Sequence, residues 1–426
     1  MGFKDVGFMG SKFYQTPMID ALSKSGMTFT SGYAAAANCA PSRASIMTGR
    51  WTPRHGIYTV GTSERGNTAH RKLIPIENTI TLSQTIPILP KILQKAGYHT
   101  IHAGKWHLSD DPLAYGFEQN IGGGHNGHPS SYYPPYGNVD LKNSGDSYLT
   151  DEIMDQTLNT IKTTKQPFFL NYAPYAVHTP IHPIDSLMSK YTQKASSNGQ
   201  HNAEYATMIE NLDRNVGRLI ASLRKNKVYG NTLIIFTSDN GGLYGITKQP
   251  PLRAGKGSYY EGGIRVPFFF VWEGKIKSGA KSNIPISHLD LFPTILNATG
   301  IDTNRYAIDG ADLLPITKGT VKTLDRALFW HFPIYLQAYN RLDNENRDSL
   351  FRTRPGSVIR EGNWKLHYYF ENDEMELYNI VEDPGERNDL LNTHPKMAEE
   401  MKTKLISWWK MTNAPRPVVM NPEYKD

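Results

Sequence analysis

TLIIFTSDNGG, residues 232–242, decides how this chain folds. Leu233 to Phe236 form an uncharged, β-favouring run that is too short for a helix and suits a strand buried on both faces. The run stops at Ser238, Asp239, Asn240 and two glycines, residue types that close turns. Three further runs are built the same way: TIHAGKWHL at 100–108, PFFLNYAP at 167–174 and VPFFFVW at 266–272. Between them, apolar residues recur at helical spacing in LSQTIPILPKILQKAG (82–97), YLTDEIMDQTLNTIKTTK (148–165) and NAEYATMIENLDRNVGRLIASLRKN (202–226). The alternation predicts an α/β sandwich around a large, mainly parallel sheet with helices on both faces. Ligands gather beyond the carboxyl ends of strands in such sheets, so HAGKWH, APYAVH and SDNGG are expected at one shared site.

After about residue 320 the pattern changes to shorter runs, SVIREGNWKLHYYF (357–370) and EMELYNIVEDPGERNDLL (374–391), followed by the amphipathic MAEEMKTKLISWWK (397–410). A small C-terminal domain with a short antiparallel sheet and a closing helix is expected. The division predicted is a larger domain at 1–322 and a smaller α+β domain at 323–426. Segment 121–138, IGGGHNGHPSSYYPPYGN, is rich in Gly, Pro, Tyr and His and reads as an ordered loop of the kind that lines clefts.

At 426 residues, 39% hydrophobic and 20% charged, the chain can bury a large core and is no disordered segment. The net charge of +6 is small and scattered, with no basic stripe, so no nucleic-acid partner is expected. Arg224, Lys225 and Lys227 read as the solvated end of a helix. The single cysteine, Cys39, excludes an intramolecular disulfide framework. No apolar run is long enough to span a bilayer, and MGFKDVGFMGSKF at the start carries no apolar signal segment.

The strongest local signal is NCAPSRASIMTGR at 38–50. Proline two positions after Cys39 and a helix-compatible run beyond it place the cysteine at a helix N-terminus, where free amides and the macrodipole favour an anion. Asp239 and Asn240 offer adjacent oxygens that suit a hard cation.

CAPSR followed by TGR resembles the modification signature of type I sulfatases, members of the alkaline phosphatase-like superfamily whose cysteine is oxidised to formylglycine. TPMIDAL (16–22), GKWHL (104–108), SDNGG (238–242), GKGSYYEGGIRVP (255–267) and LYNIVEDPGERNDL (377–390) resemble that family's blocks in its order. The resemblance implies a sulfuric ester hydrolase with one calcium ion and formylglycine (3-oxoalanine) at position 39, matured by a formylglycine-generating enzyme. One hydroxyl of the hydrated aldehyde would attack sulfur and the other would expel sulfate. By the same resemblance Arg43, one helical turn on, holds the modified residue and the metal carboxylates. Lys105 and His107 contact the formylglycine, with His107 as the base, and would point to one side if they left the strand in extended form. His178 and Lys256 bind sulfate at the leaving oxygen. Asp239, Asn240 and residue 39 are the metal ligands implied.

The loop at 121–138 resembles those of bacterial polysaccharide sulfatases. It and the Arg- and Tyr-rich AYNRLDNENRDSLFRTRP (338–355) point to a sulfated carbohydrate as partner and to a periplasmic or secreted bacterial enzyme. His125 and His128 are open between substrate contact and loop packing; His182 reads as packing. Family members begin with a buried strand ending in two aspartates, which supply half of the metal ligands. Here MGFKDVGF begins where the following turn should be under way, so truncation, two exposed ladder edges and weak calcium binding are expected. Asp5 is not promoted to ligand. Two alternatives stay open: a phosphoesterase of the same superfamily, and an inactive sulfatase-like binding protein.

Overall fold

A computed structural model describes residues 1–141, 145–340 and 345–425. Residues 341–344, within the Arg- and Tyr-rich stretch, lie outside the described residues. Each apolar run becomes a strand: His99–Gly104, Phe168–Ala173, Ile234–Thr237 and Phe268–Val271. Their side chains sort by parity, as the two-residue period of a strand requires. Phe269 and Val271 pack with Ile101, Ala103, Ile153 and Ile209. Phe268 and Phe270 pack on the other face with Leu291 and Leu313.

The first of those faces is covered by Leu149–Thr163 and Ala203–Lys225, close to the expected helices. Asn202 caps the longer one by accepting from the Tyr205 amide at 2.9 Å. Arg224 and Lys225 end that helix, where its partial negative charge suits them. The segment 82–97 is helical only over Leu89–Lys95. Pro87 and Pro90 explain the difference: Pro90 fits the first turn, where no amide is needed, and Pro87 keeps the chain ahead of it extended.

The core strands hydrogen-bond in two groups. His99–Gly104 pairs in parallel with Gln119–Ile121 and Phe168–Ala173. Met27–Phe29 pairs in parallel with Ala280–Ser282 and antiparallel with Phe268–Val271, which pairs antiparallel with Ile234–Thr237. The strands 168–173 and 234–237 are each paired on one side only among the described residues. Their open edges line a cavity of about 1410 Å³, walled by Leu212, Val216 and Leu223 and by Leu291 and Ile295, with Met1 also in its lining. This agrees with the two exposed ladder edges expected.

In the C-terminal part, Leu328–Phe332, Gly356–Glu361, Trp364–Tyr369 and Glu374–Asn379 form an antiparallel sheet. The helix Pro395–Thr412 closes it, with Met401, Leu405 and Trp408 packed on Ile359, Leu366 and Leu377. The sheet is tied to the preceding layers by a buried charge cluster. Lys365 Nζ lies 3.0 Å from Glu261 Oε1 and 2.9 Å from Glu386 Oε1, all three residues fully buried.

Candidate active site

The helix Cys39–Thr48 starts at the cysteine itself, after Asn38 in an extended conformation. Cys39 is buried at the first helical position, as the motif predicts. One turn on, Arg43 donates through Nε to Asp239 Oδ2 at 2.9 Å and through Nη1 to the Lys105 carbonyl at 2.6 Å. One guanidinium thus ties the helix to the ends of two strands from opposite groups of the sheet.

Strand 99–104 ends at Gly104, whose φ is +99°. A side chain there would meet the Ala173 carbonyl oxygen at 2.2 Å, so only glycine lets the chain turn so close to its neighbour. Lys105 then donates its amide to that same oxygen at 2.7 Å. His107 has φ +68°, a left-handed conformation costly for a residue with a side chain, fixed by its amide donating to Gly124 at 2.9 Å. This corrects the extended-strand expectation: Lys105 and His107 reach the site around a strained turn, not by strand alternation.

The segment 255–267 is held by two backbone bonds, Lys256 to the Gly242 carbonyl at 2.8 Å and Gly257 to the Ala37 carbonyl at 2.9 Å. Lys256 is thereby set between the SDNGG turn and the CAPSR helix. Its Nζ lies 2.9 Å from His178 Nε2. His178 Nδ1 faces the Thr179 carbonyl at 2.9 Å and must donate there, which leaves Nε2 as an acceptor for the lysine. Arg43, Lys105, His178, Asp239, Asn240 and Lys256 line one cavity, and Cys39 and His107 hydrogen-bond to each other beside Lys105, His178 and Lys256, so the eight residues expected at one site are brought together.

The electrostatics follow from packing cations around one buried thiol. Burial alone would raise the Cys39 pKa, but Lys105, Lys256 and hydrogen bonds with His107 and His178 pull it well below the ordinary thiol range. Burial pushes Lys105 down to about 8 and His107 down to about 4. His178 is also lowered by burial. Lys256 is raised: burial opposes its charge, but Cys39, Tyr339 and Asp239 outweigh that. At Asp239 burial and Cys39 favour the neutral acid, and Arg43, Lys105 and Lys256 keep it ionised.

For a hard cation the donors fit in part. Asn240 Oδ1 is buried with no hydrogen-bond partner, and buried amide oxygens are rarely left so. Asp239 adds a carboxylate. Calcium takes six to eight oxygens, however, and among the described residues no group of three or more His, Cys, Asp or Glu gathers to hold a metal. Asp5 is committed elsewhere: its carboxylate accepts from Gly2, Tyr205, Thr247 and Gln249.

Two open histidines border the site. His128 stacks on His178 with ring centroids 5.7 Å apart, and His125 lies edge-on to His107 at 6.4 Å. His182 packs between Tyr132 and Tyr133, as expected of a structural histidine. Arg352 and Tyr339 also approach Lys256: Arg352 Nη1 donates to its carbonyl at 3.1 Å. The sequence marks only the stretch that contains them, because nothing local distinguishes Arg352 from its other arginines or gives its one tyrosine a motif.

Such a fold, with a buried cysteine at a helix N-terminus ringed by cations beyond its strand ends, makes a site suited to an anion. Comparison with known proteins fixes the family. The sulfatase family profile matches residues 1–301, and that of the N-sulphoglucosamine sulphohydrolase C-terminal region matches 255–411. A sulfatase of Formosa agariphila is 30% identical, with 95% of this chain and 85% of that protein aligned. The N-acetylgalactosamine-6-sulfatase of Sus scrofa is 30% identical over 99% of this chain and 87% of its own. The crystal structure of Ps i-CgsB in complex with k-i-k-neocarrahexaose superposes with a TM-score of 0.78 at 28% identity, covering 98% of this chain and 96% of that one. The chain belongs to the sulfatase family and is a sulfuric ester hydrolase. No helix among the described residues is long and apolar enough to cross a membrane.

Proposed function

We propose that this protein removes sulfate from a sulfated carbohydrate, using formylglycine formed from Cys39 and one calcium ion. The observation that carries the reading is the convergence of Lys105, His107, His178 and Lys256 on Cys39 at a helix N-terminus. The sugar is suggested by the relatives, one an N-acetylgalactosamine-6-sulfatase and one solved with k-i-k-neocarrahexaose.

A hydrated formylglycine would supply an oxygen nucleophile, and calcium would offset charge on the sulfate; Asp239, Asn240 and residue 39 would hold the ion. The chain's own groups do the rest. Lys256 binds a sulfate oxygen. His178, its Nδ1 fixed on Thr179, accepts from Lys256 at Nε2 and would need a proton there to polarise the leaving oxygen. Arg43 and Lys105 hold residue 39 in place, with Arg43 setting the distance between the helix and Asp239. His107 is neutral near pH 7 because burial lowers its pKa to about 4, and it can accept the proton that must leave residue 39 as sulfate is expelled.

Three further readings belong to the proposal. The open edges of strands 168–173 and 234–237 support the reading that an extended apolar segment ending in carboxylates would pair with both and bring the oxygens that calcium still needs. The division into 1–322 and 323–426 fits the antiparallel sheet that begins at Leu328. A periplasmic or secreted location fits a polymeric sugar substrate, and maturation would call for a formylglycine-generating enzyme.

The test is mass spectrometry of the peptide around Cys39 in protein from its native host, with sulfate release from mono- and oligosaccharide sulfates. Formylglycine, lighter than cysteine by about 18 Da on the oxidation chemistry of thiols, together with sulfate release, is expected. An unmodified thiol with no release would reject the reading, and faster hydrolysis of nitrophenyl phosphate than of nitrophenyl sulfate would favour a phosphoesterase.

A further inference from the structure

We propose that Arg352, flanked by the ring of Tyr339, forms a second anion subsite beside the scissile sulfate, which takes a further sulfate or carboxylate carried by the same sugar. The inference rests on the sulfatase reading and deepens it, because it makes the substrate polyanionic.

Arg352 comes from strand Phe351–Thr353 of the C-terminal part and is 8% exposed. Its fork is oriented by backbone: Nε donates to the Gln337 carbonyl at 2.8 Å and Nη1 to the Lys256 carbonyl at 3.1 Å. One face of the guanidinium lies 3.6 Å from the ring centroid of Tyr339. No carboxylate pairs with it among the described residues. Two positions on, Arg354 is paired with both Asp348 and Glu371, so carboxylates are available in this region and are spent elsewhere.

A buried cation without a counter-ion is costly, and here a second cation makes it worse. Burial lowers the Arg352 pKa; Tyr339 raises it, Arg65 lowers it and Cys39 raises it. An oxyanion would offset that cost, and the planar fork matches sulfate and carboxylate geometry. Tyr339 is 62% exposed and also lines the cavity at Lys256, so it offers an aromatic face to a sugar ring. Arg352 bonds to the backbone of Lys256 and stacks on Tyr339, which lines the same cavity as Lys256, so an anion at Arg352 would sit at the edge of that cavity.

Calorimetry on the full chain tests this with matched ligands: glucosamine 6-sulfate against glucosamine 2,6-disulfate, galactose 4-sulfate against galactose 2,4-disulfate, and a monosulfated disaccharide with and without a uronate. Inorganic sulfate serves as the reference for the Lys256 position. Wild-type protein is expected to bind the dianionic member of at least one pair tenfold or more tightly. Arg352→Gln should abolish that preference while holding inorganic sulfate within twofold. Tyr339→Ala, which removes the ring stacked on Arg352, should weaken every sugar and reduce the preference without changing inorganic sulfate by more than twofold. The uronate pair tells carboxylate from sulfate as the preferred group.

No preference in the wild type, or a preference that survives Arg352→Gln, overturns the subsite. An equal loss of inorganic sulfate in Arg352→Gln also overturns it, since Arg352 would then merely support Lys256. A protein that shows the preference and releases no sulfate would sink the hydrolase reading and leave the subsite standing.

Discussion

Lys256 Nζ stands 2.9 Å from His178 Nε2, the histidine nitrogen left as an acceptor by the bond from Nδ1 to Thr179. The lysine cation therefore helps to keep the imidazole neutral. Its removal should act twice, on sulfate binding and on the histidine. Lys256→Ala is expected to lower kcat/KM by about ten- to a hundred-fold, the ~1.5–3 kcal/mol of a lost charged contact. The His178 pKa, which Lys256 lowers, should rise in the same variant. Steady-state kinetics and NMR titration of the ring check both, and an unchanged pKa would mean that the two side chains are not in contact in solution.

Cys39→Ala should abolish turnover and leave the fold standing. The side chain is small and buried, and its loss should change stability by about 1 kcal/mol, an ordinary core substitution. Sulfate release and denaturant unfolding measured on the same preparation separate the two effects. Turnover equal to that of a correctly modified control would remove residue 39 from the mechanism.

The Glu261, Lys365 and Glu386 cluster ties the C-terminal sheet to the segment that carries Lys256. Burial would raise the Glu386 pKa, but Lys365 and His367 pull it below the usual carboxylate range. Lys365→Met leaves two buried carboxylates facing each other and should cost about 3–5 kcal/mol, the penalty for breaking a buried ion pair from one side. Urea unfolding monitored by tryptophan fluorescence measures it, and a loss below about 1 kcal/mol would assign the cluster little weight in the fold.

His331 should make the protein acid-sensitive. Its Nε2 faces the Pro415 carbonyl and its Nδ1 faces the Ser357 hydroxyl, each at 2.8 Å, and burial pushes its pKa down to about 4. An unfolded histidine binds its proton near pH 6.5, so between about 6.5 and 4 the unfolded chain is protonated and the folded one is not. This stability is present above pH 6.5 and lost as the pH falls, about 1.4 kcal/mol per unit and about 3 kcal/mol in all. His331→Gln should flatten the pH dependence of unfolding by that share, and an unchanged slope would exclude His331 as its source.

The slot between strands 168–173 and 234–237 carries its own prediction. Amides on the open edges of these strands should exchange with deuterium faster than those of the doubly paired strand 99–104. Extending the chain upstream with an apolar strand ending in two aspartates should slow that exchange and add calcium affinity. Equal protection in both versions would mean that the slot accepts no strand.

Much of this was legible in the sequence because the signals are local. The uncharged apolar runs became strands, buried at 268–271 but only half-buried at 168–173 and 234–237 where one edge is open, and the parity of Phe268 to Val271 followed from strand geometry alone. The position of Cys39 at a helix start followed from its neighbours, and the five family blocks named the residues to watch. The sequence also located the long helix 203–225, where an Asn cap and an apolar stripe agree.

Tertiary structure decided the rest. Whether residues 82–88 are helical depended on two prolines competing with an apolar stripe, and the prolines prevailed. The left-handed turn at His107 is invisible in GKWHL, since it exists only because the loop at Gly124 accepts its amide. Arg43 reaches Lys105 across 62 positions and Asp239 across 196, and Lys256 reaches His178 across 78. Contacts of that length are chosen by how the strands and helices pack together, where no short motif has influence. The same holds for Arg352: its residue type is ordinary, and what sets it apart is burial against the Lys256 backbone with no carboxylate paired to it among the described residues.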